Sequence, residues 1–82
     1  MQLDILSPDK KIYSGNADGV LMPGITGSFE VLNNHAPMIA ALGKGKMRVR
    51  VGKTDTVYQI TGGFVEVLHN NVSVLVEGAK EI

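Results

Sequence analysis

Alternation of apolar and polar residues dominates the second half of the chain. Residues 46–51 alternate cationic and apolar side chains, namely Lys46, Arg48 and Arg50 with Met47, Val49 and Val51. A period of two predicts a half-buried strand, here with a cationic outer face. Residues 52–55 predict a turn, and residues 56–61 place Tyr58 and Ile60 on one face of a second strand. Together these segments predict a hairpin.

A second hairpin follows along the chain. Residues 64–68 and 72–77 also alternate, and they flank a polar connection, His-Asn-Asn, at residues 69–71. A tight connection of this kind joins antiparallel strands, because asparagine tolerates a positive φ. Gly62 and Gly63 interrupt the pattern just before this hairpin, which predicts a bulge, a corner or a close approach of two backbones.

The first half of the chain is less regular. We predict strands over residues 3–5, 27–32 and 38–42, and one strand with a bulge at Gly15 and Asn16 over residues 11–22. Residues 38–42 also fit a single helical turn, but we favour a strand because no segment has apolar residues at the helical spacing of three and four. We therefore expect an all-β fold of short strands packed in two sheets, as a single domain over residues 1–82.

Composition narrows the classes of protein that the chain can belong to. Its 82 residues suit one domain, and its formal net charge of zero gives no electrostatic footprint for nucleic acid or for an anionic membrane surface. Cysteine is absent, so disulfides, thiolate zinc sites and thiol nucleophiles are excluded. This cysteine usage favours a cytosolic compartment.

A search for catalytic and metal-binding motifs is negative. His35 and His69 lack partners at metal-ligand spacing, no serine lies in a nucleophile elbow, and the carboxylates are dispersed. The Gly-Lys-Gly-Lys run at residues 43–46 lacks the spacer and the Ser or Thr of a phosphate-binding loop, so a surface turn is the favoured interpretation. We expect no catalytic residue, no metal site and no cofactor.

Three large apolar residues are predicted to lie outside the core. If Glu66 faces solvent, alternation places Phe64 and Leu68 on the same outer face, and the equivalent argument on the next strand exposes Leu75. Isolated exposed apolar residues are common in proteins, whereas a contiguous set is typical of a protein contact surface.

Four ordered segments of the sequence resemble one family. The longest, residues 27–42, reads GSFEVLNNHAPMIAAL, and shorter matches cover residues 3–8 with 13–15, residues 60–67, and residues 71–75. In order and spacing they resemble the epsilon subunit of bacterial and chloroplast ATP synthases over nearly the whole chain. The resemblance implies a two-sheet β-sandwich of about ten short, mostly antiparallel strands.

The resemblance also implies a function. It places the protein in the central stalk of the rotary motor, where it binds the gamma subunit and the ring of membrane c subunits and couples proton-driven rotation to ATP synthesis. Such a subunit is not an enzyme. We therefore expect a peripheral protein at the cytoplasmic face of the bacterial inner membrane, with no cofactor, no nucleic-acid partner and no direct nucleotide binding.

Specific contact residues follow in two ways. The resemblance places Gly27, Ser28 and His35 at the end of the sandwich that faces the c-ring. Glu30 stands where many relatives have glycine, and we expect it to offer the ring a carboxylate. For gamma, the physical argument selects the outward apolar set, which is Phe64, Leu68 and Leu75.

Two alternatives stay open. Members of the family commonly continue into a C-terminal helical hairpin that inhibits ATP hydrolysis and in some cases binds ATP, whereas this sequence stops at Ile82. The expectation is that both activities are missing here, whether the natural subunit is short or the sequence is part of a longer one. The other alternative is a stand-alone sandwich that binds a small ligand or carbohydrate, which the absence of tryptophan disfavours.

Overall fold

Alternating segments of the sequence form ten strands. A computed structural model describes residues 1–82, and its strands, which we number in chain order, are β1 (Gln2–Leu6), β2 (Lys11–Asn16), β3 (Gly19–Gly24), β4 (Gly27–Leu32), β5 (Met38–Leu42), β6 (Gly45–Val51), β7 (Thr54–Ile60), β8 (Gly63–Leu68), β9 (Asn71–Val76) and β10 (Ala79–Glu81). The structure contains no helix. The all-β prediction is confirmed, as is the choice of a strand for residues 38–42.

The strands form one continuous ten-stranded sheet that folds into two five-stranded layers, which we call the first and the second sheet. The first sheet has the order β4-β3-β6-β7-β10 and the second has the order β5-β8-β9-β1-β2. They are joined at one corner, where Gly24 at the end of β3 pairs with Leu42 at the end of β5. Every pairing is antiparallel except that of β1 with β9. The predicted sandwich of about ten mostly antiparallel strands is therefore confirmed.

One hydrophobic core lies between the two sheets. The first sheet contributes buried residues such as Val20, Met47 and Ile60, and the second contributes Leu3, Ile5, Val65, Val67 and Val74. Since side chains alternate across a strand, each of these inward residues leaves its neighbours on an outer face. Val51 was expected to share the inward face of β6, but it is partly exposed because β6 ends there.

Both predicted hairpins form, with tighter turns than expected. The β6–β7 turn consists of Gly52 and Lys53, and the β8–β9 turn consists of His69 and Asn70. His69 and Asn70 have φ angles of 50° and 60°. Two consecutive positive φ angles match the right-handed twist of the flanking strands, which explains why Asn71 already belongs to β9.

One sequence prediction is wrong, and one strand was not predicted. Residues 11–22 were expected to form one strand, but they form β2 in the second sheet and β3 in the first. The chain crosses between the sheets at Ala17, whose side chain is fully buried. The strand β10 was not predicted, because its three residues are too few to show a period.

The loops gather at the two ends of the sandwich. At one end, which we call the N-terminal end, the Met1 ammonium donates to Asn33 Oδ1 at 2.6 Å, and the Asn34 backbone N–H donates to Asn70 Oδ1 at 2.8 Å. The opposite end holds the β3–β4 turn at residues 25–26, and we call it the hairpin end. There the Ile25 backbone N–H donates to the Ala41 carbonyl oxygen on β5 at 3.2 Å.

Candidate partner-binding surfaces

Apolar side chains form a row across the outer face of the second sheet. The strand register pairs Phe64 with Ala41 on β5 and with Leu75 on β9, and it pairs Leu75 with Leu6 on β1. Phe64 and Leu75 are 60% and 52% exposed. Directly opposed residues in a sheet lie about 4.5–5.5 Å apart, so these four side chains form one continuous strip.

Further apolar residues extend this strip toward the N-terminal end. Leu68 is 46% exposed on β8, and Ile39 on β5 is 74% exposed beside Glu66, its register partner. The predicted exposure of Phe64, Leu68 and Leu75 is thus confirmed. We call the outer set the apolar face; it consists of Leu6, Ile39, Ala41, Phe64, Leu68 and Leu75.

Sequence reasoning missed three members of the apolar face. Leu6, Ile39 and Ala41 lie on strands that are distant in sequence from β8, and β1 joins β9 in parallel. The sequence contained one signal: alternation within residues 38–42 places Ile39 on an outer face. That signal does not identify the neighbouring strand, because pairing of non-adjacent strands is a tertiary property.

The outer faces of the two sheets differ in charge. The second sheet carries the exposed carboxylate of Glu66 on its apolar face. The first sheet presents Lys46, Arg48 and Arg50 from β6, all exposed, as the alternation predicted. The one ion pair of the structure joins Arg50 to Glu30 at 3.9 Å. On the same face, Glu30 and Asp55, the register partner of Arg50, partly balance these three cations.

The residues expected at the c-ring are not brought together. Gly27 and Ser28 follow the β3–β4 turn at the hairpin end, and both are exposed. Glu30 lies in the middle of β4 and contacts Arg50. His35 follows β4 at its other end, where its Nδ1 lies 2.8 Å from the Ala36 carbonyl oxygen. A six-residue strand spans roughly 20 Å, so Gly27 and His35 lie near opposite ends of β4, and their contact with the ring stays a prediction.

Titratable groups are not assembled into a reaction centre. No group of three or more His, Asp or Glu side chains is placed to hold a metal ion. Burial raises the pKa of Tyr58, helped by the negative charge of Glu81 and by Tyr13. A hydrogen bond from the Ser7 hydroxyl lowers the pKa of Asp9, which lies in an exposed turn.

Comparison with known proteins assigns the chain to a family. Residues 1–82 match the family described as ATP synthase, Delta/Epsilon chain, beta-sandwich domain. The chain belongs to this family. It is 39% identical over 77 residues to the ATP synthase epsilon chain of Leptospira interrogans, covering 94% of this chain and 61% of that protein. The chain thus spans about three fifths of the length of that relative.

A shorter relative and two solved structures also match. The ATP synthase epsilon chain of Chlorobaculum tepidum is 43% identical over 76 residues, which cover 92% of this chain and 86% of that protein. A chain in the Euglena gracilis mitochondrial ATP synthase structure, titled OSCP/F1/c-ring in rotational state 1, has a TM-score of 0.91 at 23% identity, over 96% of this chain and 51% of that one.

The second solved structure supports the same fold. A chain in the central stalk/c-ring structure of the Tetrahymena thermophila mitochondrial ATP synthase has a TM-score of 0.85 at 17% identity, over 96% of this chain and 64% of that one. At these identities the likeness shows a shared sandwich fold. The structure contains no helix with the length and apolar character needed to cross a membrane.

Proposed function

We propose that this chain is a non-catalytic rotor subunit of a proton-translocating ATP synthase. In this role it binds the gamma subunit through the apolar face and contacts the c-ring, so that proton-driven rotation is coupled to ATP synthesis. Membership of the Delta/Epsilon family and the naming of the sequence relatives as epsilon chains support the proposal. The bacterial source of these relatives supports a peripheral location at the cytoplasmic face of the inner membrane.

The exposure and continuity of the apolar face support its proposed role in binding the gamma subunit. Phe64 and Leu75 are more than half exposed and lie side by side in the row that crosses four strands. Stable protein interfaces have a desolvated apolar centre in which a few large residues supply most of the binding free energy. Phe64, Leu68 and Leu75 are the proposed gamma contacts, joined by Ile39, which is the most exposed of the set.

The proposed ring contact lies at the hairpin end. Gly27 and Ser28 directly follow the exposed β3–β4 turn, and Ile25 is exposed at the tip of this turn. The strands run from one end of the sandwich to the other, and the apolar face lies along them. The hairpin end is therefore a different surface, roughly at right angles to the apolar face. One partner on the face and another at the end are therefore compatible. Glu30 and His35 lie away from this turn, so we restrict the ring proposal to Gly27 and Ser28.

A calorimetric titration of the protein into its gamma subunit tests the proposal. We expect saturable one-to-one binding, and we expect Leu75→Glu to weaken it by on the order of a hundredfold, because the loss of a central apolar contact is compounded by a desolvated carboxylate. The matched control is Leu32→Glu. Leu32 is 47% exposed on the first sheet, on the opposite side of the sandwich.

The outcomes separate the interface from the function. Equal affinities for the Leu75→Glu and Leu32→Glu variants would refute the apolar face as the gamma contact. Absence of any binding by the folded wild-type protein would refute the rotor assignment. That second result would favour the alternative function, a stand-alone sandwich that binds a small ligand or carbohydrate.

A further inference from the structure

An open groove cuts the apolar face near the hairpin end. Its volume is about 530 Å³, and its lining includes Pro8, Ala41, Gly63, Phe64, Leu75 and Glu77. Phe64 and Leu75 stand on its sides as neighbours across β8 and β9. The groove therefore lies within the proposed gamma contact and gives that contact a specific shape.

The floor of the groove is bare backbone. Gly63 has a φ angle of 155°, and a Cβ atom at this position would overlap the Leu75 carbonyl oxygen and stand 2.9 Å from Val76 Cα. Only glycine fits where β8 and β9 approach so closely. Gly63 therefore adds no side chain to the lining, and the groove beside Phe64 and Leu75 is open to a partner side chain.

Glu77 is the only charged residue that lines the groove. Its side chain is exposed and forms no ion pair. Its backbone N–H donates to the Gly62 carbonyl oxygen at 3.0 Å, which fixes the residue at the end of the groove. The nearby cations Lys10 and Lys11 line a different cleft, between β2 and β10. An apolar groove thus ends at a carboxylate without a partner.

We propose that this groove receives an arginine side chain of the gamma subunit, an inference that rests on the proposed function. The aliphatic stem of arginine packs against Leu75 and the ring of Phe64, while its guanidinium bonds the Glu77 carboxylate. Arginine combines an apolar stem with a planar cationic head, stacks on aromatic rings and is enriched among residues that dominate interfaces. The acidic Glu66 on the same face also favours a basic partner surface.

The test compares two isosteric variants in the gamma titration. Glu77→Gln removes the charge and keeps the shape, and we expect it to weaken gamma binding about tenfold. Asp55→Asn removes an exposed charge from β7 on the first sheet, outside the apolar face, and we expect less than about a twofold change. Raising the salt concentration should weaken wild-type binding more than binding of the Glu77→Gln variant, since a screened ion pair is lost. Thermal unfolding of both variants verifies that they are folded.

A charge exchange identifies the arginine. Glu77→Arg should abolish measurable binding, and one gamma Arg→Glu variant, among those tested singly, should restore it. If wild-type gamma binds but Glu77→Gln behaves like the wild type and no gamma variant rescues Glu77→Arg, the groove proposal is wrong and the proposed function stands. If gamma does not bind the wild-type protein, both are overturned.

Discussion

Replacing Gly63 by alanine tests the close approach of β8 and β9 directly. The new methyl group meets the backbone of Leu75 and Val76, so β8 must shift away from β9. Gly63 also pairs with Leu42 on β5, so the shift disturbs both neighbours of β8. A non-glycine residue at such a positive φ is strained in addition.

The expected destabilisation follows from these two effects. Backbone strain at a disallowed φ costs about 1–3 kcal/mol, and forcing extra volume into a packed site costs about 1–3 kcal/mol more. We expect a loss of about 2–6 kcal/mol in the free energy of unfolding. A domain of this length has roughly 4–12 kcal/mol in total. The Gly63→Ala variant should therefore be marginally folded.

Urea denaturation measures this loss, and a second glycine provides the control. With a slope of about 1.5 kcal/mol per molar urea, the midpoint should fall by about 1–4 M. Gly27 has a φ angle of 134° but no atom within 4 Å of the position that a Cβ would occupy. Gly27→Ala therefore retains the strain without the overlap, and we expect a loss of only about 1–3 kcal/mol. Equal losses in the two variants would refute the close approach.

Two further variants probe the N-terminal end and the core. Asn33→Ala removes the acceptor that lies 2.6 Å from the Met1 ammonium and should lower the free energy of unfolding by about 1–2 kcal/mol in urea titrations. Burial raises the pKa of Tyr58, so the Tyr58 hydroxyl is harder to deprotonate in the folded protein than in the unfolded one. The resulting contribution to the free energy of unfolding is complete below the unfolded pKa of about 10 and is lost as the pH rises through the folded pKa. Tyr58→Phe should therefore flatten the decline of stability above about pH 10.

Matched variants check both expectations. Asn16 accepts from the same ammonium at a longer 3.4 Å, so Asn16→Ala should cost less than Asn33→Ala. The reverse order would contradict the geometry of this end. Tyr13→Phe leaves Tyr58 in place and should retain most of the alkaline decline. A decline that persists in full in the Tyr58→Phe variant would mean that another group causes it.

Most of the local structure follows from the pattern of apolar and polar residues along the chain. Period-two alternation located the strands that contain Met47, Tyr58, Val65 and Val74, because inward and outward positions alternate whatever the strand pairs with. For the same reason, alternation predicted that Phe64, Leu68 and Leu75 are exposed, as they are in the structure. It could not divide residues 11–22 correctly, because one alternating segment continues through the point where the chain changes sheets.

Which outward residues become neighbours depends on how distant strands pair. Leu6 meets Leu75 only because β1 joins β9 in parallel, and Ile39 meets Glu66 only because β5 joins β8. Likewise, Gly27 and His35 are eight residues apart in a well-matched segment, yet β4 separates them by its full length. Alternation reports the face of a residue, whereas pairing of distant strands depends on the packing of the whole chain. The apolar face and its groove are therefore properties of the assembled sandwich.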